Sequence, residues 1–173
     1  PCTTFLMDVC SEGMIRKKPW NRTNQPVYSC SSQSGHQFNM HILTYVTPIS
    51  MKPKRFICGI YHGTKTHELL NKADTFVLQL LGENQYNLVN LLGKQSGNKI
   101  NKLARLEKRQ LLSEWNSFPV LKDALAVMLL KTISRFDAGD HTALLCEVED
   151  YKNLNTGNPL TLDTLRDHQI ISI

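Results

Sequence analysis

The clearest pattern in the chain is the alternation of apolar or small residues with polar ones in "QPVYSCSSQSGHQFNMHILTYVTPIS", residues 25–50. It is interrupted by a turn at Gln33-Ser34-Gly35-His36. This predicts a hairpin, with one strand over residues 27–31 and a second, long run reaching Ser50. "RFICGIY", residues 55–61, reads as a third strand, introduced by Pro53, which ends whatever precedes it. The period then changes. In "HGTKTHELLNKA" Gly63 and Thr64 supply a turn and an N-cap, and Glu68 falls in the first turn of the predicted helix. "DTFVLQLL", residues 74–81, returns to strand chemistry, so this short helix is expected to pack at the end of a barrel, with a βαβ unit as the other arrangement. Residues 84–93 and 99–115 read as helices separated by Gln95-Ser96-Gly97-Asn98. "ALAVMLLKTISRF" is mixed, its Ala and Leu favouring helix and its Thr-Ile-Ser favouring strand, and is assigned as strand. "HTALLCEVEDY" and a short segment at 170–173 complete the β content. The chain is therefore expected to be mainly β with a few helices, as a single domain over 1–173 whose first 25 residues form an extension.

Composition narrows the classes. A chain of 173 residues with 41% hydrophobic and 20% charged positions is an ordinary globular chain, long enough to bury a core. The formal charge of +5 invites a polyanionic partner, but the basic groups are short and separated by apolar segments: Arg16-Lys17-Lys18, Lys52-Lys54-Arg55, and a spread from Lys94 to Arg109. No nucleic-acid partner is expected, which leaves a solvated basic face or a pocket for a small phosphate. Five cysteines, with no C-x-x-C pair and no histidine at zinc-ligand spacing, fit a reduced, cytoplasmic protein without a metal. Cys30, Cys58 and Cys146 lie in apolar runs and read as small buried hydrophobes, while Cys2 and Cys10 lie in the extension. The amino-terminal stretch lacks a signal-peptide pattern, and no apolar run reaches the length of a membrane span, so no membrane partner is expected.

Three segments carry candidate chemistry. "GTKTHELL" combines free amides at a helix start with two threonine hydroxyls and the ammonium of Lys65, which suits either an ordinary capped helix or an anion site. "GKQSGNKINK" is a basic glycine-containing turn but not a P-loop, because Leu88 stands where the first glycine is needed and Gln95 where Ser or Thr should follow the lysine. No G-x-G-x-x-G follows a strand, which argues against a Rossmann-type dinucleotide site. The third is Asp137-Ala138-Gly139-Asp140-His141-Thr142, directly before a strand. Gly139 is expected to take positive φ, Asp140 to cap the turn by accepting backbone N–H bonds, and His141 either to start the strand or to offer its imidazole to a cleft. A serine hydrolase is not indicated, since G-x-S-x-G is absent.

With these residues in place, the chain resembles the flavin-reductase-like, FMN-binding split β-barrel family from about residue 26 to 151. The hallmark turn is matched by residues 137–142, the long strand by "FNMHILTYVTPIS", the helix start by "THELL", the next strand by "FVLQLL", and the Ser-Gly turn with its downstream lysine by "SGNKINKL". The resemblance implies a six-stranded antiparallel Greek-key split barrel. It also implies a homodimer with FMN near the interface, a hydride delivered from NAD(P)H, and electrons passed to free flavin, a partner protein or a small acceptor. The flavin would lie against residues 39–47, which places Asn39, Met40, His41, Ile42, Leu43 and Thr44 at the cofactor, Thr44 as the nearby hydroxyl. Thr66 is the matched phosphate ligand and Lys102 the matched cation; Thr64 and Lys65 join them on the anion-site argument. His141 is the matched histidine beside the nicotinamide and flavin face. Several positions depart from the family pattern: Ile42 replaces a threonine, His41 a methionine, Gly63 and Thr64 a serine and an arginine, and Gln79 an asparagine. An FMN-binding electron-transfer or sensing module without nicotinamide chemistry is the alternative, and a homologue that binds no flavin the third.

Overall fold

The computed structural model describes residues 18–172. The readings made on Arg16, Lys17, Cys2, Cys10 and most of the amino-terminal extension lie outside the described residues. A seven-stranded, wholly antiparallel sheet runs in the order β2-β1-β5-β8-β9-β4-β3. Its strands are β1 (Tyr28–Ser34), β2 (Gln37–Leu43), β3 (Val46–Ser50), β4 (Arg55–Tyr61), β5 (Thr75–Leu80), β8 (Ala126–Asp137) and β9 (His141–Asn153). A separate hairpin pairs β6 (Leu112–Trp115) with β7 (Phe118–Leu121). Helices α1 (Lys65–Leu70), α2 (Val89–Leu92), α3 (Lys102–Lys108) and α4 (Leu162–Asp167) are short, and α2 continues a 3-10 turn over Glu83–Leu88.

The expected hairpin forms, but the long run to Ser50 breaks. Thr44 and Tyr45 leave the ladder, so β2 pairs with β1 at one edge of the sheet while β3 pairs with β4 at the other. Two residues of chain thus connect the sheet's opposite edges, and the sheet has to curl until they meet. The join is covalent and not a hydrogen-bonded ladder, so the mainly β, antiparallel fold forms as expected, with seven strands in the main sheet where a six-stranded Greek-key split barrel was expected. At the join, Gly59 of β4 donates its N–H to the Tyr45 carbonyl at 2.8 Å. A β-carbon on Gly59 would stand 3.0 Å from that of Tyr45.

Curling gives the sheet an inside and an outside, and strand alternation sorts residues between them. Tyr28, Cys30, Leu43, Phe56, Cys58, Phe76, Leu144 and Cys146 fill the inside. The three cysteines are free thiols there, and burial pushes Cys30 up. Outside, Met40 packs with Leu88, Leu92, Leu106, Leu162 and Leu165 beneath the helices, while Val77 and Val127 lie under the β6–β7 hairpin with Phe118 and Val120. With both faces covered, β1 is buried at five consecutive positions, Tyr28 to Ser32.

Two further sequence assignments are corrected. The helix expected over 99–115 ends at Lys108, where Gln110 adopts φ 57° and turns the chain into β6. The β6–β7 loop then puts Asn116 and Ser117 at φ 48° and 64°, the two-residue geometry that matches strand twist. The strand expected at 170–173 is absent from the described residues 170–172. Its neighbourhood is instead α4, capped by Thr161 accepting from the Thr164 N–H, with Ile170 and Ile171 packed against the outer core. No helix among the described residues is long and apolar enough to cross a membrane.

The cap and the core residue of α4 predict a graded loss of stability. Thr161→Ala should cost about 1 kcal/mol and lower Tm by roughly 2–4 °C. Leu165→Ala, at a position 1% exposed, should cost about 2–5 kcal/mol. Thermal unfolding followed by circular dichroism checks the order; equal, negligible effects would mean that α4 does not contribute to the core.

Candidate functional site

Alternation divides the strand expected to carry the cofactor. Asn39 and His41 lie on one side of β2 and help line a cleft of about 340 Å³, together with the β4–α1 turn, the loop after α2, and Lys102 of α3. On the other side, Met40 is fully buried in the outer core, and Ile42 packs against that core and lines a second, more apolar pocket of about 340 Å³ with Thr44, Trp20 and Leu162. Leu43 points into the sheet's interior. Gly93 and Lys94 line both openings.

The floor of the cleft is set by Lys102. Its residue is 2% exposed, and its ammonium donates to the Leu92 carbonyl at 2.6 Å, at the end of α2. The Nδ1–H of His41 donates to the same carbonyl at 3.0 Å, which leaves Nε2 as the free acceptor of the neutral ring. Burial, then the charge of Lys102, lowers His41 to about 4, with the Leu92 bond opposing. Burial lowers Lys102 to about 8. Near pH 7 this pair is therefore one cation beside one neutral imidazole.

Several residues assigned to the phosphate are engaged within the protein. The Thr64 hydroxyl caps α1 by accepting from the His67 N–H at 3.2 Å, and donates to the Tyr61 carbonyl at 2.8 Å. Lys65 donates to Gln37 at 2.9 Å and to Glu68 at 3.0 Å, and Lys65 and Lys72, the latter at 3.3 Å, together hold the Glu68 carboxyl below its ordinary range. Thr66 is fully buried and accepts from Asn39 Nδ2 at 2.9 Å. Gln79 is also fully buried; its Oε1 accepts from the Leu121 N–H at 2.7 Å, tying β5 to the β6–β7 hairpin and leaving it away from the cleft. Gly97 closes the loop over Asn39 so tightly that a β-carbon there would stand 2.4 Å from Asn39 Oδ1.

The turn at 137–142 forms with Gly139 at φ +82°, but Asp137 rather than Asp140 accepts the backbone bond, from Gly139 N–H at 3.1 Å. Asp140 instead accepts from His141 Nδ1–H at 2.6 Å, which holds its carboxyl below the ordinary value and leaves Nε2 as the outer nitrogen of the ring. Tyr45 and Tyr61 flank that imidazole edge-on, with centroids at 5.0 and 5.1 Å. His141 lines a third opening with Thr44, Tyr45 and Gly59, and this opening shares Gln25, Thr44 and Tyr45 with the apolar pocket. His141 and Thr44 are thus neighbours of one depression, whereas Thr66, Gln79, Met40 and Leu43 are not on its surface. Sequence reasoning missed His62 and Tyr61, which also line the cleft; the only local signal was their position just before the glycine of the turn.

Comparison with known proteins bears on this geometry. The sequence matches the family model described as flavin reductase like domain over residues 20–170. The reductase component of a 4-nitrophenol 4-monooxygenase/4-nitrocatechol 2-monooxygenase from Rhodococcus opacus is 26% identical over 119 residues, 69% of this chain and 60% of that protein. Diflavin flavoprotein A 1 from Synechocystis sp. is 26% identical over 133 residues, 76% of this chain but 23% of its own length. The chain spans about a quarter of the diflavin flavoproteins it matches. A Streptomyces globisporus NADH:FAD oxidoreductase solved with NAD and FAD fragments superposes with TM-score 0.74 at 15% identity, covering 85% of this chain and 86% of that one. The styrene monooxygenase flavin reductase of Pseudomonas putida S12 gives TM-score 0.69 at 19% identity, with coverage of 85% and 91%. With the model match extending over most of its length, the chain belongs to the flavin reductase like domain family.

Proposed function

We propose that this chain binds FMN along β2 and the Thr44–Tyr45 join and works as an NAD(P)H-dependent oxidoreductase that passes electrons to free flavin or another acceptor. The observation that supports this most is that a basic cleft, floored by the buried ammonium of Lys102, and an apolar pocket share Gly93 and Lys94 in their walls. An amphipathic cofactor with an anionic phosphate at one end and a flat ring at the other fits that order of surfaces. Lys102 and Lys94 would hold the phosphate end, with Asn39 and His41 beside it and Ile42 and Thr44 toward the ring. Bound FMN would supply hydride acceptance from the nicotinamide and onward electron transfer.

The chain's own residues supply position and charge. Lys102, buried and cationic below about pH 8, offers an anion a charge that little water screens. Neutral His41 adds an acceptor at Nε2 without competing for the anion. His141, held by Asp140 and walled by Tyr45 and Tyr61, offers an oriented Nε2 at the far end, where it would position the nicotinamide. A homodimer belongs to the same reading. Met51, Ile49 and Phe136 are exposed hydrophobics at 91%, 51% and 53%, side chains that a second copy could cover.

The primary test is an absorption spectrum after reconstitution with FMN, followed by anaerobic NADH or NADPH. Retained flavin bands that bleach with nicotinamide are expected; bands that persist would point to an electron-transfer or sensing module, and an unretained flavin would sink the cofactor assignment. His141→Ala should slow stopped-flow flavin reduction by about 10- to 100-fold with little loss of FMN affinity; equal losses in both would remove the positioning role. Gly97→Ala should push the loop from Asn39 and weaken FMN binding roughly tenfold or more, because a 2.4 Å contact cannot persist. Unchanged affinity in fluorescence titration would show that the loop yields without disturbing the cleft.

A further inference from the structure

Position 41 departs from the family pattern, with histidine where that pattern has methionine, and its imidazole lines the cofactor cleft. The fold fixes its tautomer. Nδ1 lies 3.0 Å from the Leu92 carbonyl oxygen, an atom that can only accept, so Nδ1 carries the ring proton and Nε2 of the neutral ring is bare. We propose that His41 Nε2 accepts a hydrogen bond from a hydroxyl of the cofactor's ribityl chain, which makes His41 the residue that selects a polyol-bearing flavin over a bare ring. This rests on the flavin reading above and extends it to one side-chain atom and one ligand group.

The contacts around the ring leave no second tautomer. Lys102 Nζ stands 3.5 Å from the same Nδ1, at the far limit of a hydrogen bond, whereas it donates to Leu92 O at 2.6 Å. A bare Nδ1 accepting from Lys102 would set two lone pairs against each other across the 3.0 Å contact with the carbonyl. A doubly protonated ring is disfavoured as well, because burial and the adjacent ammonium hold His41 down to about 4. Nε2 makes no hydrogen bond among the described residues, yet it is not one of their buried orphan atoms, which are Ser29 Oγ, Ser31 Oγ and Gln79 Nε2. It is therefore reachable from outside, and the opening that His41 lines is the cofactor cleft.

A bare nitrogen takes only a donor. A phosphate dianion has no proton to give, so Nε2 would meet it lone pair to lone pair, and that end of the ligand belongs to the cations Lys102 and Lys94. Next to the phosphate along FMN comes the ribityl chain, with three hydroxyls that can each donate. Lys102 and His41 share one carbonyl, so ammonium and imidazole stand side by side, in the order in which the ligand presents phosphate and then hydroxyl. The flavin's other donor, the ring N3–H, lies at the opposite end of the molecule from the phosphate. A ligand that covers Nε2 without offering a hydroxyl leaves a buried acceptor unpaired, and that penalty is the source of selectivity. Methionine at this position would offer only a weak thioether acceptor.

The experiment titrates FMN, riboflavin and lumiflavin, which lacks the ribityl chain, by flavin fluorescence in the unmodified protein, His41→Met and His41→Gln. The unmodified protein should favour riboflavin over lumiflavin by roughly tenfold or more. His41→Met should reduce that ratio about tenfold while leaving lumiflavin affinity and the FMN-to-riboflavin ratio within about twofold. His41→Gln, whose side-chain carbonyl can stand in for Nε2, should restore part of the ratio. In the unmodified protein one of 2′-, 3′- and 4′-deoxyriboflavin should bind about tenfold more weakly than riboflavin, and in His41→Met that deficit should vanish. Equal loss for all three flavins in His41→Met would make His41 a structural support, and loss confined to FMN would make it a phosphate ligand. Deoxyriboflavins that all bind like riboflavin would show that no hydroxyl is read. Each of these results overturns the assignment and leaves the flavin reading intact, whereas failure of the unmodified protein to bind any flavin would overturn both.

Discussion

The structure depends on a two-residue covalent constraint. Thr44 and Tyr45 join β2, at one edge of the main sheet, to β3, at the other, so the sheet cannot lie open. Curling separates an interior packed with Phe56, Phe76, Leu144 and the cysteines from an exterior that needs its own cover. The short helices and the β6–β7 hairpin supply that cover. The join itself, where backbone leaves the ladder, is the boundary between the apolar pocket and the opening that holds His141.

The same curl places chemistry. It brings the end of β4 and its turn into α1 beside β2, and the loop after α2 above them, so that groups distant in sequence surround one cleft. Inside this cleft one carbonyl, Leu92 O, accepts from both Lys102 and His41 and gives the nearly buried lysine its partner, while burial and the charge of Lys102 keep the imidazole neutral. Removing such a bond would leave a buried cation without a partner, a costly state. The cleft therefore presents a fixed cation in low-dielectric surroundings, whereas Lys94 at the rim is exposed and screened.

Much of this was legible in the chain. The Gln33–His36 turn, the strand in "RFICGIY", the Thr64 cap and the mixed segment over 124–136 all announced themselves through local period and turn chemistry. The failures share a cause. Helix propensity continued past Lys108 because nothing in "KRQLLSEW" forbids helix, yet Gln110 turned left-handed to let Leu112 and Leu121 pair. Ile170 and Ile171 read as strand because β-branched residues favour it, but they pack on the core beside α4 instead. The long strand broke where the sheet had to turn its edge, a demand visible only once both partner strands are known.

At the site the division follows the same line. The sequence by itself determined which residue types stand near a turn or alternate along β2, and hence that hydroxyls, lysines and a histidine would gather around residues 39–44, 62–66 and 137–142. The tertiary structure decided which of them remain available to a ligand. Thr66 meets Asn39 from 27 residues away, Gln79 meets the Leu121 amide from 42, and Thr142 meets His62 from 80. Local periodicity reports which face of an element is buried. It carries no information on which distant donor or acceptor will meet that face, and a buried polar group's role is set by that partner.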